Sequence, residues 1–238
     1  MQVTQSLSVQ KSRRPIVPVD VPSIRDSFPF TICTANNEEL LNKAVDIRAD
    51  GYGRHVPDLG TRFRQIEPLD REEDVAVLLA ESKPDGSPLG TLRIQINRRQ
   101  HLMIEQALTL PFPRNALLAE STRLAVCQEG VGRVVKLALF RATYQYCLHA
   151  GVDYLVIGAR APLDRQYRGF LFEDVCPDLG PIPLAYANNI PHHVLFLDIQ
   201  NAASRWREVN HPMYEFLTEP DHPDITLMHI VQSQSQTH

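Results

Sequence analysis

Two charged residues stand three positions apart in an otherwise apolar stretch, Glu120 and Arg123 in the segment LLAESTRLAV that runs from Leu117 to Val126. Charged side chains seldom go fully inside a protein without a partner. Two kinds of chemistry suit the pair. A carboxylate can take a proton, directly or through water, or can fix an amine. A guanidinium can pair that carboxylate, or grip another one through two parallel hydrogen bonds. The alternative is a buried ion pair that only fixes the segment.

Other residues carry a chemical signal of their own. Gly130, Gly132 and Arg133 precede a helix start, where exposed N–H groups and the helix dipole favour a phosphate and glycine permits close backbone approach. An ordinary tight turn would use the same glycines. Arg48 shares a helical face with Leu41, Ala44 and Val45, and either reaches a carboxylate ligand or snorkels at the helix end. Arg93, in GTLRI, also sits among apolar residues, where an unpaired charge is costly. The adjacent His192 and His193 cannot both face one site on a strand, and nothing else has metal-ligand spacing.

These residues must be positioned by a mixed set of elements. Residues 1–27 are polar and proline-punctuated and read as a loose arm. Residues 28–230 form one domain, and 231–238 are a flexible tail. FPFTICTA reads as a strand. Asn36 then caps a helix, with Glu39 three residues on, that stops at Gly51 or Gly53. DVAVLLAES and LGTLRIQIN form a hairpin across the turn residues Pro84, Asp85 and Gly86. The Glu120 segment is the next strand. A helix then runs to His149 with a buried stripe of Val135, Ala138, Leu139, Ala142 and Tyr146, and Gly151 ends it. DYLVIGA is a nearly continuous apolar run, hence a central strand. PLDRQYRGF is a short helix carrying Tyr167, HHVLFLDI a strand, and NHPMYEFL opens a last helix at Pro212. This order makes an α+β fold around a mixed, mostly antiparallel sheet.

The chain has 238 residues, 43% of them hydrophobic and 22% charged, enough to bury a core without staples. A net charge of -4 and a pI near 6.1 leave no basic excess for nucleic acid. Cys33, Cys127, Cys147 and Cys176 are widely spaced, as in a cytoplasmic protein with reduced thiols. No apolar run is long enough to cross a bilayer, so no stable membrane insertion is expected. The N-terminus lacks a secretory h-region.

The strand AESTRLAV, its glycine-containing loop, the long helix, the next strand and a helix with Tyr and GF together resemble the GNAT superfamily of N-acyltransferases. Glu120-Ser121-Thr122-Arg123 is similar to the E-x-(S/T)-R motif of acyl-homoserine-lactone (autoinducer) synthases, and Arg48 and Arg93 fall where that family carries arginines. Over about Phe30 to Leu217 the chain most resembles the related long-chain N-acyl amino acid synthases of the FeeM type. The resemblance implies a GNAT-like fold and a bulge between Glu120 and Arg123. That bulge would turn both side chains to one face and free a backbone N–H, at Leu124 or Ala125, for the oxygen of a thioester. Tyr167 stands where many GNAT enzymes protonate the leaving thiolate; packing its ring into the core is the other role open to it.

The implied donor is the acyl-phosphopantetheine of an acyl carrier protein, or an acyl-coenzyme A, bound by Gly130, Gly132 and Arg133, with no permanently bound cofactor or metal. Cys127 stands where the superfamily's phosphate loop commonly has Arg or Gln. Glu129 adds a negative charge where a coenzyme A diphosphate would lie. The single phosphodiester of a carrier protein suits that loop better, with Arg133, Lys136 and Arg141 as its basic patch. Tyr52 alone represents the autoinducer synthases' aromatic-rich segment, which points away from S-adenosylmethionine as acceptor. The expected activity is fatty acyl transfer to the α-amine of an amino acid, with Glu120, Arg123 and Tyr167 catalytic. Arg48 and Arg93 are expected to clamp the acceptor carboxylate. Trp206, Tyr214 and Phe216 could line an acyl tunnel, or pack the core. An autoinducer synthase, and a non-catalytic module that binds an acyl group or carrier, are the other readings.

Overall fold

A computed structural model describes residues 27–128 and 130–228. The proposed arm at 1–27, apart from Ser27, the tail at 231–238 and Glu129 lie outside the described residues. One sheet dominates. Its strands are β1 (Phe30–Thr34), β2 (Val75–Ser82), β3 (Pro88–Ile96), β4 (Leu118–Val126), β5 (Tyr154–Ala159), β6 (Glu173–Asp174), β7 (Ile182–Leu184), β8 (Ile190–Asp198) and β9 (Ile225–Thr226). The order across the sheet is β6-β8-β5-β4-β3-β2-β1-β9, with β7 on β8. Among the described residues only β4–β5 and β1–β9 pair in parallel; the other pairings are antiparallel. The fold is α+β with a mixed, mostly antiparallel sheet, and β5 is central, as its apolar run requires.

The helices are α1 (Glu38–Gly53), α2 (Pro57–Arg62), α3 (Gly132–Ala150), α4 (Leu163–Gly169), α5 (Ile199–Glu208) and α6 (Tyr214–Thr218). Asn37, not Asn36, caps α1. Its backbone is extended and its side chain accepts from the Leu40 N–H at 2.9 Å. Gly151 closes α3 in the left-handed conformation, φ 73°, which costs glycine nothing. Two helices escape the sequence reading. α2 is short and starts on Pro57. α5 follows β8 without a loop, capped by the Asp198 side chain on the Asn201 N–H. Its buried residues Ile199, Ala202 and Trp206 have helical spacing, the signal that could have found it. The last helix begins at Tyr214 rather than Pro212.

Strand alternation sorts the side chains to two faces. Ala76, Leu78, Leu92, Ile94, Ala119, Leu155, Ile157, Leu195 and Leu197 face the larger core with α3, α5 and α6. Val77 and Leu79 face α1, and Leu118, Val156 and Val194 face the loop around Leu102 and Ile104. Trp206, Tyr144 and Phe216 are fully or almost fully buried in the larger core. Trp206 packs edge-on to Tyr144 at 4.9 Å between centroids and donates its indole N–H to the Phe170 carbonyl at 2.9 Å. Trp206 and Phe216 therefore fill the core and line no tunnel. Trp206→Ala should lower unfolding free energy by about 3–5 kcal/mol in urea titration. The surviving folded protein should keep its substrate KM.

Candidate active site

β4 and β5 pair in parallel over Leu118–Ser121 against Tyr154–Ile157 and separate beyond that point. The gap between them opens a cavity of about 420 Å³. Ser121, Thr122, Arg123, Leu124, Ala125, Val126 and Cys127 form one wall, Ile157, Gly158 and Arg160 the opposite one, and Tyr52, Val56, Leu59 and Phe63 close it from the α1–α2 side. Tyr167, Tyr186 and His192 complete it. Gly51 lets α1 approach β4, since a Cβ there would stand 2.8 Å from Cβ of Ala125.

The bulge is present. Thr91 pairs with Ala125 and Arg93 with Thr122, so β4 has one extra residue, and Arg123 takes a positive φ of 58°. A left-handed backbone costs a non-glycine residue about 1–2 kcal/mol and persists only where the surroundings enforce it. Here they do. Arg123 Nε and Nη2 donate to Glu67 Oε2 and Oε1 at 2.7 and 2.8 Å, and its guanidinium lies over the Phe63 ring at 4.1 Å.

Arg123 thus pairs with Glu67, not with Glu120. Arg48 and Arg93 are fully buried and join the same cluster. Arg48 donates to Asp70 at 2.8 and 3.2 Å and to Glu67 at 3.3 Å. Arg93 donates to Glu67 at 3.0 Å, to Asp70 at 3.1 Å and to the Thr122 hydroxyl at 3.2 Å. Neither lines the cavity; of the three arginines only Arg123 does. Three guanidinium groups face two carboxylates, so the cluster itself carries one surplus positive charge. Burial pushes the Glu67 carboxyl up, but the Arg123 hydrogen bonds and the charges of Arg123, Arg93 and Arg48 outweigh it and hold its pKa at about 2. Glu67 and Asp70 were missed in the sequence. Their three-residue spacing, with Asp70 accepting from the Glu67 N–H at 3.0 Å, is a capping-box signature that could have marked them.

Glu120 is fully buried and sits behind the cavity wall. Its Oε1 accepts from the Tyr186 hydroxyl at 2.7 Å and its Oε2 from the Ile104 N–H at 3.0 Å. Burial raises its pKa against the pull of those two hydrogen bonds and of the Arg93 and Arg123 charges. Tyr167 lines the cavity and packs edge-on to Phe172 at 5.2 Å, and burial holds its hydroxyl protonated. His192 faces the cavity, its Nδ1 2.6 Å from the Ile190 carbonyl, and burial lowers its pKa. His193 points away, toward Asp174 at 3.6 Å.

Gly130 and Gly132 lie at the start of α3, beside the cavity's Cys127 and Gln128. A Cβ on Gly132 would stand 2.2 Å from the Cys127 carbonyl oxygen, so only glycine fits this tight loop. Arg133 is exposed and Lys136 half-buried. Arg141 is fully buried and donates to the Glu219 and Asp221 carbonyls at 3.0 and 3.1 Å. It ties the C-terminal segment down and belongs to no surface patch.

The family model of FeeM, N-acyl amino acid synthase, matches residues 44–189, which take in α1 from Ala44 onward, the arginine cluster, β4, the glycine loop and Tyr186. The chain belongs to this family. It is an N-acyltransferase with a GNAT-like fold. The solved structure of FeeM, an N-acyl amino acid synthase from uncultured soil microbes, superposes with a TM-score of 0.60 at 14% identity, covering 76% of this chain and 96% of that one. The CoA-dependent acyl-homoserine lactone synthase BjaI, with SAM and isopentyl-CoA, gives 0.57 at 16% identity, covering 84% and 94%. TofI, in a ternary complex with an inhibitor and MTA, gives 0.52 at 17%, covering 72% and 92%. At these identities the likeness is one of fold. A search of curated protein sequences finds no significant match. Among the described residues no helix is long and apolar enough to cross a membrane, and no group of His, Cys, Asp and Glu could hold a metal ion.

In this family member Glu67 links acid stability to the site. Its carboxyl has an ordinary value of 4.5 and a folded value of about 2. A depressed carboxylate stabilises the fold fully above its unfolded value, and the contribution fades as pH falls through the folded one. Unfolding free energy should therefore drop between pH 4.5 and about 2. Glu67→Gln should remove that part of the slope and cost about 3–5 kcal/mol at neutral pH, because it strands buried guanidinium groups. Chemical denaturation at stepped pH measures both.

Proposed function

We propose that the cavity joins a fatty acyl thioester, carried on the phosphopantetheine arm of an acyl carrier protein, to the α-amine of an amino acid. The observation that carries this reading is Arg123. It is the cluster's one arginine at the cavity, its Nη1 stands outside the Glu67 pair, and the cluster behind it has a positive charge to spare. A guanidinium so placed suits an acceptor carboxylate. Arg48 and Arg93 fix Glu67 from behind, and Glu67 in turn holds Arg123.

The remaining parts follow the needs of acyl transfer. The reactants must be held at attack distance, which the gap between β4 and β5 does. The thioester oxygen needs donors as it turns negative, and the backbone at Leu124 and Ala125 lines the wall where β4 has left β5. Tyr167 gives the leaving sulfur a proton, and Glu120 takes the one the amine loses. Gly130, Gly132 and Arg133 meet the phosphate at the α3 N-terminus. The lining from Val56, Leu59, Leu163, Leu184 and Ile190 is apolar and suits an acyl chain. The glycine loop lacks a basic residue at Cys127, which favours one phosphodiester over a coenzyme A diphosphate.

Two assays test this. Matched acyl chains on carrier protein and on coenzyme A should give a higher kcat/KM for the carrier; equal values would refute the donor. Arg123→Lys should raise KM for tyrosine by about 10–100-fold, the worth of a charge-assisted hydrogen bond, and leave tyramine acylation much less affected. Equal losses on both amines would assign Arg123 to the fold or the donor.

A further inference from the structure

Glu120 cannot touch an acceptor. It is fully buried, both carboxylate oxygens already accept from the protein, and it forms no part of the cavity lining. Tyr186 stands between it and the cavity. This residue lies on the turn Ala185–Ala187 that follows β7, lines the cavity, and aims its hydroxyl proton at Glu120 Oε1 over 2.7 Å. A hydroxyl carries one proton and two lone pairs. With its proton on Glu120, Tyr186 presents only acceptor capacity to the cavity. The opposite wall keeps that oxygen accessible. Residue 158 is glycine, and a Cβ there would come to 3.4 Å from the hydroxyl and 2.6 Å from Cδ1 of Leu184.

We propose that Tyr186 is the catalytic residue that meets the acceptor amine, and that Glu120 is a positioning residue and proton store acting through it. This rests on the amine-acylation reading of the cavity. The amine donates a hydrogen bond to Tyr186 Oη. As nitrogen attacks the thioester carbonyl, the C–N bond forms and the C–S bond breaks, and the electron pair leaves on sulfur. The surplus proton on nitrogen passes to Oη while the Tyr186 proton passes to Glu120 Oε1. Sulfur takes a proton from Tyr167. Solvent then returns one proton to Tyr167 and removes one from Glu120 by way of Tyr186, which restores the site. The buried carboxyl's raised pKa suits it to hold that proton, and the pull of the nearby Arg93 and Arg123 charges lets it give the proton up again.

The test is a double-substitution cycle on kcat, run with whichever thioester and amine the wild type uses. Tyr186→Phe and Glu120→Gln should each lower kcat by about 10²–10⁴-fold with little change in the amine's KM. The double variant should lose no more than the worse single, because the two act as one unit. That double variant strands no buried charge, so it reports even if Tyr186→Phe alone fails to fold. Its loss, and that of each folded single, should shrink with amines of low basicity, which part with their proton more readily; a purely structural role would not follow amine basicity. Multiplying losses in the cycle would overturn the proposal. So would a normal kcat for Tyr186→Phe beside a His192→Gln variant with a basicity-dependent loss, which would make His192 the base. Wild type that acylates tyramine as well as tyrosine would sink the acceptor reading above and leave this one standing.

Discussion

Everything at the site depends on burying three guanidinium groups around two carboxylates. Taking each of these ions out of water costs several kcal/mol. The cost is met only because Glu67 and Asp70 answer Arg48, Arg93 and Arg123 at 2.7–3.3 Å. The five residues come from α1, the turn after α2, β3 and β4, so the cluster binds the helical layer to the sheet where the cavity opens. It also holds Arg123 at a backbone angle that an unassisted arginine would leave. Strain of this kind collects where a structure must aim a side chain, and here the aim is into the cavity.

The second constraint is the parting of β4 from β5. A parallel pair that stays together would fill this space with backbone hydrogen bonds. Once the strands separate, residues from both faces of the sheet reach one space. Ile157 belongs to the larger core and Tyr186 to the smaller one, yet both line the cavity. That explains how Tyr167 and Tyr186, which lie on different segments, come to line one cavity. The larger core, packed between the sheet and α3, steadies the sheet, and at its edge Phe172 packs on Tyr167.

Much of the site is legible in the sequence, though some partners are not. A Glu and an Arg in one apolar strand had to have partners, and both do. The partners were the error. Proximity in sequence suggested that Glu120 and Arg123 pair, whereas Arg123 reaches Glu67, 56 positions away, and Glu120 reaches Tyr186, 66 positions away. Arg48 and Arg93 were expected to face a ligand, but each is spent on acidic residues. Arg141 was expected at the surface and is buried against two carbonyls.

The sequence by itself determined the type and order of the longer strands and of four helices, because hydrophobic period, turn chemistry and caps are local; the short α2, β6, β7 and β9 lie outside that reading. Alternation made β2 and β3, Gly86 with its φ of 67° made their turn, and the stripe from Val135 to Tyr146 made α3. Helix α5 was missed although its spacing was readable, since it joins β8 without a break. Only the tertiary structure decided which charges meet and which face the cavity. A buried ion's partner is chosen by whatever the fold brings within about 3 Å, and that distance bears no relation to separation along the chain. The strand's alternation sends Glu120 and Arg123 to opposite faces; one inserted residue at φ 58° reverses this, and that angle is paid for by Glu67, a contact no local pattern encodes.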